Sequence, residues 1–164
     1  MKFGKIILLN GTSSSGKTSI ALELQKILDE PYFLLSLDEF VKKINLNGDD
    51  AEFSNLIFAF HNIILTLSAS GINVIVDHVL ETEELKSHFL KLMSDIPVKY
   101  IGVNCKLNVI EDREKMRGDR KLGLAKTQYL TIHKGIKYDL EIDTSKLSPT
   151  KSAKKIKGFL ILIK

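Results

Sequence analysis

Ile6-Ile7-Leu8-Leu9-Asn10 runs straight into Gly11-Thr12-Ser13-Ser14-Ser15-Gly16-Lys17-Thr18, and the segment from Ser19 to Asp29 then places Ile20, Leu24, Ile27 and Leu28 at helical spacing. An apolar run, a glycine-bounded loop and an amphipathic helix in that order make a complete Walker A phosphate-binding loop in the right setting. Gly11 and Gly16 let the backbone turn so that successive N–H groups point inward at an anion, where a Cβ would obstruct them. Lys17 can reach the β and γ phosphates of a nucleotide as a point charge. The Thr18 hydroxyl can ligate a bridging magnesium ion, and the helix presents its positive end to the same anion. Gly11 to Ser19 is therefore the expected nucleotide-binding segment, with ATP and Mg2+ as the expected ligands.

The chain of 164 residues suits a single domain, 1–164, large enough to bury about two thirds of its unfolded surface. No apolar run reaches the ~20 residues that cross a bilayer. Lys2 and Lys5 precede a short apolar run in the manner of a signal peptide, but that run leads into the phosphate loop and reads instead as the first strand. A cytoplasmic protein without a membrane partner is expected. Cys105 is the single cysteine, which excludes an internal disulfide and any multi-cysteine metal site and reads as a buried thiol. The net charge of +4 owes much to Lys146, Lys151, Lys154, Lys155, Lys157 and Lys164. Neither arginine nor interleaved aromatics accompany those lysines, so they read as a solvated helix face rather than a nucleic-acid surface.

Apolar runs alternate with helical patterns along the chain, which predicts an α/β fold with a parallel sheet wound by helices. Five strands are expected, at Lys5 to Asn10, Tyr32 to Leu37, Asn73 to Asp77, Val98 to Asn104 and Tyr138 to Asp143. The first four are nearly continuous in apolar character, as strands covered on both faces must be. Helices are expected at Lys17 to Asp29, Asp50 to Ser70, Glu81 to Ser94, Asn108 to Arg117, Ala125 to Lys134 and Pro149 to Ile163. Phe40, Phe53 and Phe58 fit either a packed core or a substrate pocket. Among the histidines, His61 and His88 read as surface or packing residues, His78 as a residue within reach of substrate, and His133 as a helix-end residue near terminal carbonyls.

Ligands of a parallel sheet sit at the carboxyl ends of its strands, so polar residues that end apolar runs mark the site. Asp38, after Leu34-Leu35-Ser36-Leu37, is placed to take the proton of a substrate hydroxyl as its oxygen attacks the γ-phosphorus. Asp77, ending Val74-Ile75-Val76, resembles a Walker B carboxylate that holds magnesium through water. The two aspartates can exchange these roles. Phosphoryl transfer also needs positive charge on the migrating group, and all the arginines of the chain fall in one stretch, Arg113, Arg117 and Arg120, interrupted by Gly118 and followed by Gly123. That stretch reads as a lid spanning 113–126. Arg117 and Arg120 are its catalytic arginines and Arg113 a nucleotide contact.

With those residues in hand, the chain resembles the chloramphenicol phosphotransferase family, small P-loop kinases related in fold to the shikimate and nucleoside monophosphate kinases. The resemblance covers nearly the whole chain, and its more specific part is RGDRKLGLAKTQYLTIHKGIKYDLEIDT, Arg117 to Thr144. It implies a P-loop NTPase fold with a five-stranded parallel sheet. Asp38 is then the base that deprotonates the acceptor, while Lys17, Thr18, Arg117 and Arg120 hold ATP, magnesium and the transferred group. The reaction it implies is ATP-dependent 3-O-phosphorylation of chloramphenicol, an antibiotic inactivation; more generally the partner is a small hydroxylated substrate. Two other readings share the phosphate loop: a nucleotide-binding regulatory module without kinase activity, and a nucleic-acid end kinase. No Asn-Lys-x-Asp element follows the fourth strand, which favours adenine over guanine.

Overall fold

A computed structural model describes residues 2–45, 50–117 and 123–162, without the side chains of Asp50 and Arg117. Five parallel strands form the sheet: β1 (Ile6–Asn10), β2 (Phe33–Ser36), β3 (Val74–His78), β4 (Val98–Asn104) and β5 (Leu140–Asp143). They lie in the order β2-β3-β1-β4-β5, so β1 is central, with β2 and β3 on one side of it and β4 and β5 on the other. The carboxyl end of β1 is thus the switch point, where loops diverge and leave a crevice. The sequence reading placed all five strands, with each end within two residues.

Period-two alternation in the central strand builds two cores at once. Ile6 and Leu8 face Ile57, Phe60 and Ile64 of α3 (Asp50–Ala69) and Leu85 and Phe89 of α4 (Glu83–Leu92). Ile7 and Leu9 face Ile20, Ala21 and Leu24 of α1 (Lys17–Ile27) and Ala153 and Ile156 of α7 (Pro149–Leu162). Both β1 and β3 are buried throughout, whereas β2, at one edge, is only half covered. Among the described residues no helix is long and apolar enough to cross a membrane.

Three elements differ from the sequence reading. β2 ends at Ser36, and Asp38 falls in the first turn of a five-residue helix, α2 (Leu37–Val41), rather than at a strand end. An aspartate and a glutamate side by side favour the positive end of a helix, which is where Asp38 and Glu39 stand. The helix expected to run from Ala125 to Lys134 is only α6 (Leu124–Tyr129). Beyond Tyr129 the chain tightens into turns: the Thr131 N–H donates to the Gln128 carbonyl at 3.1 Å and the Lys134 N–H to that of Thr131 at 3.0 Å, while Lys86 Nζ and Asn10 Nδ2 hold the Thr131 and Ile132 carbonyls at 2.8 and 3.1 Å. Finally, α4 begins at Glu83, two residues late, because the Thr82 hydroxyl caps it by accepting the Leu85 N–H at 3.2 Å. Of the other helices, α1 stops two residues before the expected Asp29, and α3, α5 (Leu107–Arg117) and α7 lie within one residue of expectation.

Candidate active site

The loop between β1 and α1 has the geometry its glycines demand. A Cβ on Gly11 would stand 2.3 Å from the Val103 carbonyl oxygen, and Gly16 sits at φ 94°, in the left-handed region that glycine tolerates. Ser14, at φ 59°, carries the same left-handed turn on a residue with a side chain. Lys17 is 6% exposed and its ammonium lies over the loop, donating to the Thr12 carbonyl at 2.8 Å.

A cavity of about 830 Å³ opens at the carboxyl ends of the strands and collects most of the expected site residues. Ser13, Ser14, Gly16, Lys17, Thr18 and Ser19 line it on the loop side, and Asp38, Asp77, His78 and Arg113 also border it. Gly11, Thr12 and Ser15 are buried loop residues that do not border the cavity. Its apolar wall is made by Leu37, Phe53, Ile57, Leu85 and Leu124, so Phe53 is a cavity residue while Phe40 and Phe58 pack on the core. The side chain of Arg117 and the whole of Arg120 lie outside the described residues, as does the central part of the expected lid.

Polar contacts sort these residues into two groups. Thr18 Oγ1 donates to Asp77 Oδ2 at 2.6 Å, joining the end of the phosphate loop to the end of β3. A hydroxyl and a carboxylate meeting at the mouth of an anion cradle are oxygen donors suited to a small hard cation. Arg113 acts differently. Its guanidinium donates to the Thr144 carbonyl at 3.0 Å and the Thr144 hydroxyl at 3.2 Å, with longer contacts to the Ser15 and Ser14 carbonyls at 3.4 and 3.5 Å. That fork ties the phosphate loop to the segment after β5. The hydroxyls of Ser13 and Ser14, which border the cavity, are buried without a hydrogen-bond partner among the described residues. Orphaned donors in a glycine-shaped cradle fit a polyphosphate, which supplies several acceptor oxygens at once.

Sequence reading missed what lies behind the cavity wall. His78 Nδ1 accepts the Val79 N–H at 2.8 Å, which leaves its proton on Nε2, 2.7 Å from His61 Nε2. His61 then carries its own proton on Nδ1, 2.9 Å from His88 Nδ1. The tautomers follow from the one backbone donor that starts the chain. Burial, and secondly the neighbouring His88, push the His61 pKa down to about 3; burial and His61 lower that of His78. His61 is therefore neither a surface residue nor simple packing. His133, expected at a helix end, bonds the Tyr138 hydroxyl at 2.8 Å, and Tyr138 in turn accepts from Asn10 at 2.7 Å. Cys105 is buried, as expected. Among the described residues no cluster of histidine, cysteine or carboxylate side chains could hold a metal by itself.

A parallel sheet with a Walker A loop at its switch point defines the P-loop kinase fold, and solved structures agree. The APS kinase of Mycobacterium tuberculosis, in complex with AMPPNP and APS, superposes with a TM-score of 0.79 at 19% identity, covering 98% of this chain and 99% of that one. The shikimate kinase of Acinetobacter baumannii, in complex with shikimate, gives 0.72 at 15%, with 97% and 94% covered. A tunicamycin resistance protein of Deinococcus radiodurans gives 0.72 at 20%, with 96% and 95% covered. Residues 4–161 match the family model described as chloramphenicol phosphotransferase-like protein, and the chain belongs to that family. A Mycobacterium tuberculosis protein named "Putative O-phosphotransferase" is 30% identical over 173 aligned positions, spanning 88% of this chain and 77% of the relative.

Proposed function

We propose that this protein transfers the γ-phosphoryl group of ATP to a hydroxyl of a small molecule, with chloramphenicol as the first acceptor to test. The observation that carries the reading is the shared cavity. The Thr18–Asp77 pair, Lys17 of the loop, Asp38 and an apolar wall all border it. Lys17 and the loop amides grip the β and γ phosphates. Thr18 and Asp77 hold magnesium, which when bound shields the phosphate charge. Asp38 takes the hydroxyl proton as the acceptor oxygen forms its bond to the γ-phosphorus and the bond to ADP breaks. Arg117 and Arg120 are assigned to the migrating group. Positioning and electrostatics supply most of the rate in such a reaction.

Incubation with magnesium ATP and a panel of chloramphenicol, shikimate, nucleosides and aminoglycosides tests it. One product heavier by a single phosphate supports the reading. Asp38→Asn is expected to cut that transfer by about 10²–10⁴-fold, the range for a lost general base, with nucleotide affinity within about threefold. Nucleotide binding with no product from any acceptor favours a regulatory module instead. Salt-sensitive oligonucleotide binding with 5′-phosphorylation favours the end kinase.

A further inference from the structure

We propose that Gln128 is a positioning residue that holds the γ-phosphate end of the loop in register with the acceptor-side wall; this rests on the phosphotransferase reading above. Gln128 is 4% exposed and borders the cavity from α6. Its side-chain carbonyl accepts the backbone N–H of Ser13 at 2.8 Å, a contact across 115 positions of sequence. Its amide donates to Glu81 Oε2 at 3.0 Å, on the segment joining β3 to α4. Lys17, whose ammonium serves the β and γ phosphates in a Walker loop, reaches Thr12, the neighbour of Ser13. Ser13 thus stands on the side of the loop that Lys17 covers, which we take as the γ end of the cradle.

Chemistry restricts what can stand at this position. The contact to Ser13 needs an acceptor and the contact to Glu81 needs a donor, and a carboxamide supplies both on one short group. A carboxylate there would face Glu81 with like charge, and an apolar side chain of the same length would make neither bond. The helix carrying Gln128 is itself fixed. Glu114, 2% exposed on α5, accepts the N–H groups of Gly123 at 2.7 Å and Ala125 at 3.0 Å, which satisfies the free amides at the start of α6. A rigid mount at one end and a two-sided amide at the other make Gln128 a fixed link between the phosphate loop and the segment joining β3 to α4, rather than a surface side chain that drifts between partners.

The test compares magnesium AMPPNP with magnesium ADP by titration calorimetry on the full chain. Gln128→Met is expected to weaken AMPPNP about tenfold and ADP less than twofold, because only the γ end of the loop loses its tether. Gln128→Glu is expected to be at least as impaired. Adding Glu81→Gln to it rebuilds both bonds in reverse, with the new carboxylate accepting from Ser13 and from the new amide, and should recover part of the loss. Equal losses for AMPPNP and ADP, an unchanged preference, or no recovery in the reversed pair would each overturn the proposal. Where Gln128→Met does not fold, the comparison between Gln128→Glu and the reversed pair decides. Wild-type protein that binds neither nucleotide overturns the phosphotransferase reading and this one together, whereas wild-type binding with an indifferent Gln128 overturns this one alone.

Discussion

Thr18 and Asp77 hold each other's oxygens 2.6 Å apart, so the pair is oriented by the protein before a cation is involved. Ser36 Oγ adds a long contact to the same carboxylate oxygen at 3.5 Å, from the end of β2. Replacing Asp77 by Asn keeps the shape and removes the charge. Magnesium-dependent nucleotide affinity is then expected to fall by about 10–100-fold, the range typical when a carboxylate supporting a metal site is lost, while affinity in EDTA stays nearly constant. Calorimetry with and without magnesium measures both, and equal losses in the two conditions would remove Asp77 from metal binding. The residues of this kind were legible in the sequence because each is marked locally: Lys17 and Thr18 by the loop spacing, and Asp38 and Asp77 by standing where an apolar run stops. His61 and Gln128 carry no such mark. Their roles come from partners 17 and 115 positions away, and a histidine or glutamine inside a helical pattern has no period that betrays a distant partner.

Three elements meet in the histidine chain: β3 through His78, α3 through His61 and α4 through His88. Phe60 and Phe89 pack edge-on against His61, with ring centroids at 6.5 and 5.1 Å. Both ring nitrogens of His61 and of His78 are engaged, so a proton added to His61 would set two donors face to face. In the native protein His61 titrates near 3, and in the unfolded chain near the ordinary histidine value of about 6.5. Between those values the unfolded chain binds more protons, so stability must fall as the pH drops below about 6.5. From His61 alone the loss should approach 2 kcal/mol at pH 5, at about 1.4 kcal/mol per unit, and His78 shifts in the same direction. Urea unfolding at pH 7.5 and 5.0 measures it, and His61→Gln should flatten the difference; a wild-type midpoint that does not move would refute the neutral chain. The strands themselves needed no such information. Continuous apolar runs between turn residues located β1, β3 and β4 directly, while the errors fell at α2 and α6, helices of five and six residues that are too short for an apolar period to mark their ends.

The whole molecule divides at β1, whose alternate residues enter the α3/α4 core and the α1/α7 core. The phosphate loop leaves from the seam between them. Arg113 carries that seam onward by fastening the loop to Thr144 after β5, so elements from both faces converge on one cradle. A nucleotide seated there touches a surface that exists only when both cores are formed, and the unfolded chain has nothing equivalent to offer it. Binding to the folded state alone stabilises by about 2.7 kcal/mol when the ligand stands at a hundred times its Kd. For a chain of this size each kcal/mol moves the melting temperature by about 2–4 °C, so magnesium AMPPNP is expected to raise it by about 5–11 °C. Asp77→Asn should retain about a seventh to a half of that shift at the same ligand concentration, since a 10–100-fold loss of affinity leaves about 0.4–1.4 kcal/mol of the stabilisation while the fold is kept. Differential scanning calorimetry across a ligand series gives the answer. A melting temperature indifferent to nucleotide up to millimolar concentration would mean that the cradle at the seam, correctly shaped as it is, does not hold a triphosphate.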